Sequence, residues 1–323
     1  MRHTRPVAAL VLLAIAVAGV SLQGKASTLV LKTAWAKQFR NRLSIDAKVT
    51  ILALNKGKED DGDSHGGSRH NAAGLPLVAE ILNGTAASQQ AGRTALTPGN
   101  DPEKDVYGAW RLWFEHPPEG GGTQCQTFSN NAPAVCEHQA LTGPNSNPAH
   151  SFEIHPVFSV NGVSLARSSI VLTADNQSVW ETDKAFDEYM AKTKILQVVR
   201  SATALTLTSI SVKANYARMH IRITRAKVAT LRQKDGKVDG GFVLADVISN
   251  TEDHPRMEGG RMFYFLDSAP GDKLETAHTG DEFDVIGMPR INLDTILTAT
   301  EITKSISIHV PFEFVIVALV PAQ

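Results

Sequence analysis

The sequence predicts a mainly β protein: two small antiparallel barrel or sandwich domains of OB-like form, joined by one connecting helix. Three observations carry this prediction. Apolar and polar residues alternate with a period of two through much of the chain, as half-buried strands require. The alternating runs are short and are separated by clusters of Gly, Pro, Asn and Asp, the residues of turns. The length of 323 residues suits two domains of ordinary size.

In chain order, Arg2, His3 and Arg5 precede an apolar run over residues 7–20, and Gly24-Lys25-Ala26 places small residues around an expected cleavage point. These are the three parts of a secretory signal peptide, so residues 1–26 are expected to be removed and the chain exported, to a periplasmic or extracellular place. The apolar run is about 14 residues, short of the roughly 20 a spanning helix needs. An uncleaved N-terminal anchor is the rival reading.

Residues 27–165 form the expected N-terminal OB-like domain. Residues 44–54 alternate, with Ile45, Ala47, Val49 and Ile51 on one side. Residues 55–74 read as a polar loop, 75–82 as a strand, and 83–105 as a second loop. In residues 109–116, Trp110, Leu112 and Phe114 face one way, while Arg111, Trp113 and Glu115 face the other. One tryptophan is therefore expected in the core and the other at a contact surface. Residues 117–148 are a long Gly/Pro/Asn-rich excursion. Residues 150–157 form a strand with Phe152 and Ile154 inward.

Residues 166–200 are the expected helical connector. Thr182 can cap a helix through Lys192, with Phe186, Tyr189 and Met190 as its apolar stripe. It reads as the chain's one substantial helix. Residues 201–323 form the expected C-terminal β domain. The phase changes between Leu207 and Ile210, which predicts a bulge near Thr208. Ala217, Met219, Ile221 and Ile223 alternate cleanly, and Lys234-Asp235-Gly236 reads as a hairpin turn. Residues 241–248, 261–266, 282–288 and 305–320 supply further strands.

Composition narrows the function. The chain is 42% hydrophobic, enough for real cores, and its 32 basic residues are balanced by 33 acidic ones. A protein that holds nucleic acid by neutralising phosphates needs a basic excess, so this class is disfavoured. The two cysteines, Cys125 and Cys136, read as a disulfide in an exported chain. A two-thiol metal site near His116, His138 and His150 is the alternative.

Potential chemistry concentrates in the first half. Asp61, Asp63 and His65 lie in the first loop, Glu80 on the next strand, Arg111, Glu115 and His116 on the Trp-rich strand, and His150, Glu153 and His155 on the last one. A carboxylate and an imidazole side by side can share a divalent metal or a proton. Period two puts Glu153 and His155 on one face and His150 on the other. The bland alternative is a solvated outer face with an Arg111–Glu153 cross-strand pair. Asp61-x-Asp63-x-His65 starts like a calcium loop and has Gly66 in sixth place, but Ala72 stands where a bidentate glutamate is required. There is no H-E-x-x-H, G-x-S-x-G or P-loop motif.

The segments EDDGDSHGGSR (59–69), GLPLVAEILN (74–83), GAWRLWFEHP (108–117), NPAHSFEIHPV (147–157) and GDEFDVIGMPRINL (280–293) resemble those of a family of uncharacterised exported bacterial proteins. The resemblance implies a bacterial envelope protein. Asp61-Gly62-Asp63 with Glu80 is also similar, at the level of fold analogy, to a calcium-dependent nuclease on an OB barrel, although the arginine spacing does not follow. Two functions are thus expected: a non-enzymatic exported binding or structural module, or a metal-dependent hydrolase acting on phosphodiesters. In the second, Asp61, Asp63, Glu80, Glu153 and His155 would be ligands or bases and Arg111 would hold an anion. Partners are not legible in the sequence.

Overall fold

The computed structural model describes residues 26–55, 62–70, 75–118, 121–126, 145–165, 182–212, 215–249 and 254–320. The expected leader up to Lys25, together with Asp61, Cys136 and His138, lies outside them. In chain order the elements begin with β1 (Ser27–Lys32), α1 (Thr33–Phe39), β2 (Ser44–Leu54), β3 (Ser64–His70), β4 (Pro76–Ile81), α2 (Gln90–Leu96), β5 (Glu103–His116), β6 (Thr123–Cys125), β7 (His150–Val160) and β8 (Val163–Ser164). They continue with α3 (Thr182–Met190), β9 (Ile195–Arg200), β10 (Ala204–Ser209), β11 (Ala217–Arg232), β12 (Val238–Ile248), β13 (Met257–Phe265), α4 (Ala269–Leu274), β14 (Glu282–Ile291), α5 (Leu293–Ile302), β15 (Ser305–His309) and β16 (Phe312–Leu319). The protein is mainly β, as predicted, and its strands lie in three sheets.

Two of the sheets curl into five-stranded rings. The first runs β2–β3–β4–β7–β5 and back to β2. The second runs β11–β12–β13–β16–β14 and back to β11. In each the order is first, second, third, fifth, fourth, and all neighbours are antiparallel except the third and fifth. Neither ring is evenly closed. The parallel seam of the first spans Leu77↔Phe152 to Ala79↔Ile154, and that of the second only Met262↔Phe314 and Phe263↔Val315.

The alternation sets the ring interiors. Ile45, Ala47, Val49 and Ile51 of β2, Trp110 and Leu112 of β5, and Phe152 and Ile154 of β7 are all buried in one core. Ala217, Met219, Ile221 and Ile223 do the same for the second ring. The outer walls of the rings also meet. Phe158 of β7 stacks edge-on against Phe265 of β13, with centroids 4.5 Å apart, in an apolar cluster that includes Ala109, Ile286 and Met288.

The third sheet, in the order β15–β9–β10–β1–β6, was not expected. It gathers strands from both ends of the chain and the middle. Its β10 pairs without a register shift to β1 and β9, so the predicted bulge near Thr208 does not form. The phase change there marks the end of β10 at Ser209.

Other expectations are corrected. The polar stretch 64–70, read as loop, is the strand β3. Its Gly67 sits where a Cβ would come within 1.9 Å of the Asn145 carbonyl oxygen, so the strand is polar and small because the chain passes close over it. The second loop contains α2, whose Leu96 is fully buried. Five α-helices occur among the described residues. α5, capped by Asn292 Oδ1 accepting from Thr295 N at 3.0 Å, is longer than α3. α3 buries Phe186 and Tyr189, but Met190 faces outward. Trp110 and Trp113 are both buried, so neither offers a contact surface. Residues 305–320 divide into β15 and β16, which belong to different sheets. The Lys234-Asp235-Gly236 turn forms as predicted, with Gly236 at φ +88° between β11 and β12. No helix among the described residues is long and apolar enough to cross a membrane.

Candidate functional site

The inward positions of the first ring are apolar, so the intervening positions point outward. They are Glu80 of β4, Arg111 and Glu115 of β5, and Glu153 and His155 of β7. His65 of β3 lies directly opposite Glu80 in the ladder. A lone ring would leave this face in water. Here Asn215 and Tyr216, which lead into β11, and the Pro289 carbonyl of β14 close over it. Asp63, Arg111 and His155 are 0% exposed, and Glu80, His150 and Glu153 are 2–3% exposed. The expectation of a solvated face is therefore overturned.

These side chains form one connected network. His65 Nε2 lies 2.7 Å from Glu80 Oε1, and Glu80 Oε2 lies 3.2 Å from His155 Nδ1. Glu153 Oε2 is 3.2 Å from the same Nδ1 and accepts from Arg111 at 2.8 Å. Arg111 also donates to Glu115 at 2.9 Å, to Asn215 Oδ1 at 2.6 Å and to the Pro289 carbonyl at 3.0 Å. On the far side of the imidazole, His155 Nε2 meets the Tyr216 hydroxyl at 2.5 Å, and that hydroxyl donates to Asp63 Oδ2 at 2.6 Å.

His150 joins the network against expectation, with Nε2 3.2 Å from Glu153 Oε1 and Nδ1 2.6 Å from the Pro148 carbonyl. The β5–β7 ladder shifts register between Leu112 and His116, so strict period two fails at the start of β7. His116 stays at the rim, 45% exposed, stacked on His150 at 5.4 Å. Of the sequence-derived candidates, the structure gathers Asp63, His65, Glu80, Arg111, Glu115, His150, Glu153 and His155. It leaves His116 at the edge, and Asp61 is outside the described residues.

Charge is short on the positive side. The network holds four carboxylates, Asp63, Glu80, Glu115 and Glu153, against one permanent cation, Arg111. Burial opposes the charge on His155, but Glu80, Asp63 and Glu153 outweigh it and raise the imidazole to about 10. Burial alone would raise Glu80; His155 and His65 instead lower it to about 2. Glu153 is likewise held well below the usual carboxylate range, chiefly by Arg111 against burial. For Asp63 and Glu115 burial wins, and both are raised. His155 as an imidazolium can donate both N–H groups, one to a carboxylate and one to Tyr216, which satisfies the ring. Asp63, Glu80 and His155 also offer ligand atoms all within 4.8 Å of one another, a group that could hold a metal ion.

Sequence reasoning missed the covering residues. Nothing in the local pattern around Asn215 and Tyr216 marks them as partners of Arg111 and His155, 104 and 61 residues earlier. It also missed Arg290 of β14, fully buried, which donates to Glu313 Oε1 at 2.7 Å while its guanidinium lies 4.1 Å from the centroid of the Trp110 ring. Burial lowers Arg290 to about 10. The alternation did place Glu313 on a strand, but the expected strand 282–288 stopped short of Arg290, which lies on β14, and their partner ring was not legible.

No protein-family model matches the chain. No curated protein matches it either.

Proposed function

We propose that this chain is an exported, non-enzymatic binding or structural β module of the bacterial envelope, made of two OB-like barrels. One observation carries the reading against catalysis: the acid, base and cation candidates are buried and committed to one another. A catalytic group must reach a substrate, whereas Arg111 and His155 are 0% exposed and their donors are taken up by Glu115, Glu153, Asn215 and Tyr216. The network instead ties the outer wall of the first ring to the entry and fourth strand of the second. Support for OB-like barrels comes from the strand order, from the partly open seams, and from the helices α2 and α4 between the third and fourth strands of each ring. A Cys125–Cys136 disulfide belongs to the same reading. It is supported by the even cysteine count and by there being no free cysteine among the described residues.

A second reading, the metal-dependent hydrolase, is kept because Asp63, Glu80 and His155 converge in a carboxylate-rich cluster. Elemental mass spectrometry of the tag-free protein separates the two, paired with hydrolysis of bis(p-nitrophenyl) phosphate after incubation with calcium, manganese or zinc. The module reading expects no stoichiometric metal and no turnover. A bound metal that is lost in Glu80→Gln or His155→Gln, with turnover lost alongside it, would replace it with the hydrolase.

A further inference from the structure

A cleft of about 510 Å³ lies away from the buried network. Its floor is the outer face of β2 and β5, at Asp46, Lys48, Asp105 and Tyr107, and its overhang is the Gln233–Asp235 turn of the second ring. A second hollow of about 600 Å³, lined by Tyr107, Ser159, Gln233 and Lys237, continues it along β7. Both share Asp46, Asp105, Tyr107 and Gln233, so they form one groove.

The groove wall is built rather than incidental. The Tyr107 hydroxyl donates to Asp239 Oδ1, and Gln233 Nε2 donates to both Tyr107 Oη at 2.9 Å and Asp239 Oδ1 at 3.0 Å. Asp239 is 1% exposed, and its other oxygen, Oδ2, has no hydrogen-bond partner. A buried carboxylate oxygen without a donor is costly unless something supplies one. Around the rim, Lys48 is paired with Asp105 at 3.2 Å. Lys234 and Lys237 are exposed and make no ion pair among the described residues.

We propose that this groove binds an anionic carbohydrate, a chain of hydroxylated rings bearing carboxylates. Sugar hydroxyls donate to the exposed carboxylates of Asp46 and Asp105 on the groove floor. The Tyr107 ring, held in place by its bonds to Asp239 and Gln233, offers an apolar face to sugar C–H groups. Lys234 and Lys237 hold the carboxylates of the chain. A nucleic acid fits less well, because Tyr107 is the one partly exposed aromatic ring there on which a base could stack.

This deepens the binding-module reading and can fail without it. A chain that is metal-free and inert toward phosphodiesters, yet ignores uronates, leaves that reading standing. The test is calorimetric titration of the full mature protein with tetragalacturonate, galactotetraose and a single-stranded DNA hexamer. Expected are binding of the uronate, no binding of the neutral sugar, and an affinity loss of about tenfold in Lys234→Ala/Lys237→Ala. The two lysines are exposed, so that variant keeps its fold, and an unchanged thermal melt verifies it. No heat with tetragalacturonate, equal binding of the neutral sugar, lysine-independent binding, or tighter binding of the DNA would each overturn the proposal.

Discussion

At the scale of single residues, the buried network sets the behaviour of the chain. Glu153 is the acceptor shared by Arg111, His150 and His155. Glu153→Ala takes this shared acceptor away, leaving Glu115 as the carboxylate paired with the buried Arg111, and is expected to destabilise by about 3–5 kcal/mol, read as a shift of the urea midpoint. Tyr216→Phe removes only the hydroxyl between His155 and Asp63 and is expected to cost about 1–3 kcal/mol. The same groups fix the pH profile. His155 is raised to about 10 in the fold. The unfolded side chain gives up its proton near ~6.5, so this contribution is whole below that pH and is lost as pH rises toward 10. Asp63 and Glu115, raised by burial, act in the same direction. Glu80 is lowered to about 2. Its contribution is whole above the unfolded value near ~4.3 and is lost as pH falls below it. Urea titrations across pH are expected to show greatest stability between these limits, falling on both sides. A curve still rising above pH 7 would contradict the charged His155.

At the scale of elements, two departures from local pattern carry predictions. β3 is a strand with almost no apolar residue, held by ladders to β2 and β4 and kept small by the chain at Asn145. Gly67→Ala must push that backbone aside and is expected to cost about 1–3 kcal/mol, measured by thermal denaturation. α5 has the residues Thr295, Ile296, Thr298 and Thr300, β-branched and poor helix formers. Its Asn292 cap therefore matters more than usual. Asn292→Ala is expected to lower stability by about 1 kcal/mol, with Asn292→Asp keeping most of it.

At the scale of the molecule, the two rings meet through an apolar wall and two ionic clusters, one at Arg111 and one at Arg290. Arg290 of the second ring reaches the Trp110 ring and the Leu43 and Trp110 carbonyls of the first. The rings are therefore expected to unfold together, with circular dichroism and tryptophan fluorescence giving coincident transitions. Arg290→Ala removes the guanidinium that joins Glu313 to the first ring and leaves Glu313 paired with Arg261, and is expected to lower the midpoint and to separate the two probes. Coincident, unshifted transitions in that variant would show that the Arg290 cluster does not couple the rings.

The sequence by itself determined the mainly β character, most strand positions and the inward faces of both rings, because period two is a local property of the chain. It also marked out, as one set, the carboxylates, imidazoles and guanidinium of the first half. What it could not determine was their environment. A side chain that points out of one ring is solvated or buried according to what lies against that ring, and residues 215–216 and 289–290 arrive there from distant sequence. The same holds for β3, for the third sheet and for α2, which are decided by neighbours rather than by their own propensity. Tertiary packing alone turned an outward polar face into a buried network and left Lys234 and Lys237 exposed on the hairpin of the second ring.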